Sequence, residues 1–218
     1  MVKGVSALFY RFEVSWLPSL TQPANLQSWQ QVNLIVLLNH TSLFEPLFVR
    51  LAPTRFLWRL SADLVVPGAD ITLKRPIAGR LLRIVVPGCI PISRLQDDTW
   101  QQFLAHVTEH KVNAILPEGR MKRKSGLDKH GNNMSVRGGI ADMLQRLEQG
   151  KILFVYSGGL HHIQAPGDKL PKLFKTIKAN LELVDIAEYK QLMAQHADSF
   201  KNAVMADMNQ RLRDNIPS

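Results

Sequence analysis

From Val32 to Leu38 the chain is apolar at every position but Asn33, the pattern of a strand covered on both faces rather than one with a wet side. Shorter runs of the same kind recur at Ile84-Val85-Val86, Ala114-Ile115-Leu116 and Ile152 to Tyr156, and Asn180 to Val184 predicts a last strand. Helical spacing of apolar residues lies between them, clearest over Thr99–His110 and Gly138–Gln149. Gly150 closes the second of these as a helix stop. Ala187–Leu212 predicts one or two terminal helices. Ahead of the first strand, Val5, Leu8, Phe9, Phe12 and Trp16 share one face of a helix. That face either packs on the core or lies in a lipid interface, with Tyr10 and Trp16 at the water boundary. Thr21 to Gln31 reads as a polar connector. Buried strands alternating with helices indicate an α/β fold, a sheet sandwiched by helices. With no repeat, low-complexity tract or boundary, residues 1–218 form one domain, with an amphipathic helix within 1–20 and helices over 187–218.

Composition agrees with that picture. The 218 residues are 45% apolar and 21% charged, which excludes disorder and fibrous repeats. Charge adds something new: 27 Lys and Arg against 18 Asp and Glu give +9 and a pI near 9.9. An excess of that size favours an anionic partner, whether nucleic acid, an acidic membrane surface or a phosphorylated or CoA-like substrate. Much of it sits between residues 50 and 94, where Arg50, Arg55, Arg59, Lys74, Arg75, Arg80, Arg83 and Arg94 face only Asp63 and Asp70. The lone Cys89 excludes an internal disulfide framework and suits a reducing compartment. No apolar run approaches the roughly 18 residues that cross a bilayer. After Lys3, the stretch from Gly4 to Tyr10 is broken by Arg11 and Glu13 before a secretory core can form. The expectation is an intracellular chain, soluble or surface-bound.

Chemistry gathers at two strand ends, where ligands lie in such folds. The first reads Leu38-Asn39-His40-Thr41-Ser42-Leu43-Phe44-Glu45. A histidine leaving a buried strand titrates near neutral pH and suits a general base. Glu45 can meet it only if His40 sits in the turn and Glu45 in the first helical turn, where the carboxylate would fix the imidazole tautomer. The same residues satisfy Ser-x-x-Glu, so Glu45 alternatively caps a helix. The second strand end is Ile115-Leu116-Pro117-Glu118-Gly119-Arg120-Met121-Lys122-Arg123-Lys124. Its glycine lets backbone approach a ligand, and its four cations suit a phosphate or form a solvated loop.

In order and spacing these segments resemble the glycerolipid acyltransferase family, the glycerol-3-phosphate and lysophosphatidic acid acyltransferases. Asn39-His40 with Glu45 resembles the family's first motif, Asn-His-x4-Asp, with Glu for Asp. Gly88 to Arg94 looks like the second, with Pro91 where an aromatic is usual. Pro117-Glu118-Gly119 matches the core of the third, and Ile152-Leu153-Phe154-Val155 takes the place of the fourth without its proline. Lys74, Pro76 and Gly79 match a Lys-x-Pro-x-x-Gly segment. The resemblance covers about residues 30–185.

It implies a mixed, mostly parallel sheet flanked by helices. It also implies acyl transfer from a thioester, acyl-CoA or acyl carrier protein as co-substrate with no further cofactor or metal, to a hydroxyl of a glycerophosphate or lysophospholipid. His40 would be the base, Glu45 its partner, Arg94 the acceptor-phosphate ligand, and Glu118 and Gly119 the holders of the glycerol-like part. Lys74 and Arg120 are further anion candidates. Arg120-Met121-Lys122 departs from the usual Thr-Arg-Ser. The chain would sit peripherally on the cytoplasmic face of an anionic membrane, through residues 5–16 and basic side chains. Other readings are a lipid-binding relative without activity, a thioester hydrolase using His40 and Glu45 with water, and a nucleic-acid module. The last is disfavoured by the absence of any recognition helix, ribonucleoprotein strand or zinc finger. Cys89 reads as a packed thiol. His161-His162 reads as a pocket rim or a metal site, and Arg137-Gly138-Gly139 as a helix start that could hold an anion.

Overall fold

The structure is a computed structural model; it describes residues 2–18, 26–74, 76, 79–80, 84, 86, 88–93, 95, 97–168, 170–195 and 199–217. Its strands are β1 (Tyr10–Trp16), β2 (Val32–Leu38), β3 (Leu64–Ala69), β4 (Cys89–Ile92), β5 (Val112–Ile115), β6 (Lys151–Ser157) and β7 (Lys175–Asp185). Among the described residues they make one seven-stranded sheet in the order β1-β7-β6-β2-β5-β3-β4. Neighbours are parallel except β6 and β7, which run antiparallel. The fold is thus the expected α/β domain with a mixed, mostly parallel sheet.

Both faces of the sheet are covered, which is why its central strands read as continuous apolar runs. Leu34, Val36, Leu38, Ile152, Phe154 and Tyr156 pack under the helices Thr99–Ala105, Gly139–Leu144, Ile186–Gln195 and Phe200–Asp214. Leu153, Val155, Ala114 and Ile177 face the other way, toward Phe48 of the 3-10 helix Glu45–Leu51 and Phe56 of the helix Thr54–Asp63. One buried polar knot ties the last helix to the sheet. Arg211 pairs with Glu182 at 2.6 Å and Asp207 at 2.7 Å, Tyr156 and Tyr189 donate to those carboxylates, and the guanidinium lies 4.6 Å from the Phe154 ring centre.

The structure corrects the sequence reading in several places. The single helix expected across Val5–Trp16 divides into a helix, Val2–Phe9, and the edge strand β1. Tyr10, Phe12, Val14 and Trp16 also alternate with Arg11, Glu13 and Ser15. The open edge of β7 takes up that period of two, pairing Tyr10 with Lys175 through to Trp16 with Leu181. Trp16, expected at a lipid boundary, stands edge-on to Trp29 at 6.0 Å. β3 has no clear signal in the sequence, where Pro67 and Gly68 argue against a strand interior. β4 begins at Cys89 instead of Ile84; Ile84 is exposed and Val85 lies outside the described residues. Gly88 is forced by the approach of these two strands, since a Cβ there would lie 1.7 Å from the Leu64 carbonyl oxygen. The helices expected to reach His110 and Gln149 stop at Ala105 and Leu144, the second followed by turns up to Gly150 at φ +98°. Residues 21–25 of the expected connector are outside the described residues, and Leu26–Gln30 is a short helix.

Candidate active site

β2 and β5 are parallel neighbours, so their carboxyl ends place His40 and Glu118 at one edge of the sheet. The chain leaves β2 through Asn39 at φ +68°, a left-handed turn that asparagine tolerates. Asn39 Nδ2 donates to the carbonyl of Ser157 at the end of β6, 2.8 Å away. The turn is clamped from the other side by Glu118, whose Oε1 accepts the N–H of Asn39 at 2.6 Å and of His40 at 3.2 Å. Glu118 is 2% exposed, and among the described residues neither its Oε2 nor Asn39 Oδ1 has a hydrogen-bond partner.

His40 Nδ1 lies 3.1 Å from Glu45 Oε1. That oxygen also accepts the N–H groups of Thr41 at 3.0 Å and Ser42 at 2.9 Å. That carboxylate therefore satisfies the amides of the turn and faces the imidazole; it is not the cap of the 3-10 helix, whose N-cap, Phe44, makes no side-chain cap hydrogen bond. With Oε1 already shared by two amides, the ring contact is a close charge contact without hydrogen-bond alignment. Burial lowers the pKa of His40, but the negative fields of Glu45 and then of Glu118 outweigh it, and the net shift is upward from 6.5. Glu118 also moves up: burial raises its pKa more than the amides around it and the nearby imidazole lower it. A histidine whose one nitrogen faces a buried carboxylate leaves Nε2 for proton transfer.

A cavity of about 200 Å³ opens beside this turn, lined by Asn39, Glu118, Lys122, Asn133, Met134 and Leu212. Lys122 enters it because its backbone N–H donates to the His40 carbonyl at 2.7 Å. Gly119 follows Glu118 at φ +66°, where a Cβ would stand 3.3 Å from Arg137 Cδ.

The remaining candidates separate. Arg120 turns to Asp128, a buried side chain that also accepts the N–H groups of His130 and Asn132 and so shapes the loop. The Asp-Lys-His-Gly sequence at 128–131 is the signal for that turn. Lys74 is exposed and pairs with Asp70 at 3.0 Å. Arg94 lies outside the described residues. His161 Nε2 hydrogen-bonds the Lys122 carbonyl at 2.6 Å and His162 Nε2 the Thr176 carbonyl at 2.7 Å, so both are engaged as loop ties. Sequence reasoning missed Asn133, Met134 and Leu212. The last is brought in from the far end of the chain by the helix Phe200–Asp214, with no local signal to mark it.

No curated protein sequence matches the chain. Its fold is similar to that of the crystal structure of the 1-acyl-sn-glycerophosphate acyltransferase PlsC from Thermotoga maritima, with a TM-score of 0.50 at 14% identity, over 94% of this chain and 74% of that one. Residues 19–209 match the acyltransferase family, and by that match over most of its length the chain belongs to it.

Proposed function

We propose that the protein moves a fatty acyl group from a thioester, on CoA or an acyl carrier protein, to a hydroxyl of a glycerophosphate or lysophospholipid, with His40 as general base. The observation that supports this reading best is the contact between His40 Nδ1 and the buried Glu45, 3.1 Å apart at the mouth of the parallel sheet. His40 Nε2 takes the proton of the acceptor hydroxyl as its oxygen attacks the thioester carbonyl. The tetrahedral intermediate collapses with loss of the thiolate, which takes the proton back from the imidazolium. Glu45 stabilises the imidazolium in between. The bare oxygens of Glu118 and Asn39 accept hydroxyl donors of the acceptor. Arg94, and Lys122 in the cavity, take its phosphate. PlsC from Thermotoga maritima, a solved structure of similar fold, is by its name an enzyme of 1-acyl-sn-glycerophosphate, the kind of acceptor proposed.

The test is an acceptor screen with a labelled long-chain acyl-CoA and acyl carrier protein, products read by mass spectrometry, for wild type and His40→Ala. The expected result is a labelled ester with a glycerophosphate or lysophospholipid and at least about a hundredfold loss in the variant. Free fatty acid as the sole product, or a fully active His40→Ala, defeats the reading.

A further inference from the structure

Two exposed apolar segments meet at the sheet edge that carries His40. β7 runs against β6, so its first residues stand where β2 and β6 end. Ser157 pairs with Ala179, and Phe174 lies five residues beyond that level, roughly 16 Å at strand rise. β1 runs with β7, Tyr10 opposite Lys175, and so brings the helix Val2–Phe9 to the same edge. The two segments are joined there. Phe174 N–H donates to the Phe9 carbonyl at 2.8 Å, and the two rings meet edge-on at 5.8 Å. The helix also rests on the segment that begins with Glu45, where Lys3 Nζ donates to the Ala52 carbonyl at 2.7 Å.

The outer surface of this junction is apolar. Leu8 is 71% exposed, Leu170 78%, Leu173 43% and Phe174 74%. Phe174 stands at φ +57°, a region where an aromatic residue is strained and Gly or Asn is usual. A large ring left mostly in water at a conformational cost gains little from its one edge-on contact with Phe9, so its main use lies outside the fold. The surroundings are cationic: Arg11, Lys172 and Lys175 are exposed. No acid occurs in residues 2–12, and Asp168, the one acid in 158–175, accepts the N–H of Ala165 within its own loop.

We propose that Leu8, Leu170, Leu173 and Phe174, rimmed by Arg11, Lys172 and Lys175, dock the protein on an anionic lipid bilayer with the His40 edge toward the lipid. Apolar side chains enter the interface while the cations meet acidic headgroups. A lipid acceptor then passes from the bilayer to the cavity without crossing water. This rests on the lipid-acceptor reading above. It keeps Leu8 from the stripe expected over residues 5–16, adds Leu170, Leu173 and Phe174, and gives Trp16 no part.

The full chain would be sedimented with vesicles of phosphatidylglycerol and phosphatidylcholine, as wild type, Phe174→Asn and Leu8→Ser. Asparagine is at ease at positive φ, so the first variant keeps its fold. Each variant is expected to partition at least about tenfold more weakly, the effect of withdrawing one large apolar side chain from lipid. Transfer to a short-chain lysophosphatidate kept below its aggregation concentration is expected to stay at the wild-type rate. Wild-type vesicle binding by both variants overturns the docking surface, as does joint loss of vesicle binding and of transfer to the soluble acceptor. Equal binding of wild type to pure phosphatidylcholine vesicles overturns the role of the cations. Vesicle binding without any acyl transfer by wild type defeats the catalytic reading instead.

Discussion

Replacing Glu45 by Gln separates the charge of that side chain from its shape. The amide oxygen of glutamine can still accept the N–H groups of Thr41 and Ser42 that Glu45 Oε1 accepts at 3.0 and 2.9 Å, so the turn carrying His40 is kept. What disappears is a negative charge 3.1 Å from His40 Nδ1. At an effective dielectric near 20, opposite charges this close attract by about 5 kcal/mol. Water reaching the 16% exposed imidazole reduces that. About 2 to 4 kcal/mol of imidazolium stabilisation is then at stake in the transition state, or roughly 30- to 1,000-fold in kcat. The pH profile carries a second sign. Neutral imidazole is the active form, so kcat/KM rises as pH passes upward through the His40 pKa. In the wild type this limb lies above the ordinary 6.5, because Glu45 and Glu118 outweigh burial. In the Gln variant burial gains ground and the limb moves to lower pH. Thiol release from acyl-CoA, followed from pH 5 to 9 with a chromogenic disulfide, measures both quantities. An unchanged kcat with an unmoved limb would refute the pairing of His40 with Glu45.

Two further substitutions address stability. Arg211→Met leaves the carboxylates of Glu182 and Asp207 without their cation, a loss of about 3 to 5 kcal/mol for a broken buried pair. In a chain of this size that lowers the thermal midpoint by roughly 6 to 20 °C, read by circular dichroism. Arg120→Ala is expected to lower the midpoint while leaving the acceptor KM unchanged, because its guanidinium is held by Asp128; a raised KM with wild-type stability returns Arg120 to the substrate.

The strands legible in the sequence were those buried on both faces. Val32–Leu38 was found at its exact limits because seven positions in the middle of the sheet leave no room for alternation. The sequence predicts a helix over β1 because seven residues with apolar side chains at every second position, Tyr10, Phe12, Val14 and Trp16, also fit a helical stripe over a longer window. Only the open edge of β7 decides between the two. The positions of His40, Glu45 and Glu118 followed from their place after strands. The division of labour between them did not, since it depends on which oxygen meets which amide. The fate of the cations was least legible. Arg120, in the same basic run as Lys122, turns away to Asp128, and nothing in the spacing announces it.

Glu118 poses the remaining question, whether it only shapes the turn or also holds substrate. Its two oxygens divide along that line. Oε1 clamps the amides of Asn39 and His40, whereas Oε2 is buried beside the cavity without a partner among the described residues. Glu118→Gln separates the two roles, because the amide oxygen can keep the clamp while an NH2 group replaces the bare acceptor. If Oε2 accepts an acceptor hydroxyl, the variant folds with a wild-type midpoint. Its acceptor KM rises by about 10- to 100-fold, the usual worth of a hydrogen bond to a charged group. The acyl-donor KM stays where it was. The negative field of Glu118 also contributes to the raised His40 pKa, so the kcat/KM limb should move to lower pH, though less than in Glu45→Gln. A shifted limb with an unchanged acceptor KM would show that Glu118 acts on His40 alone, and the hydroxyl contact assigned to its second oxygen would be wrong.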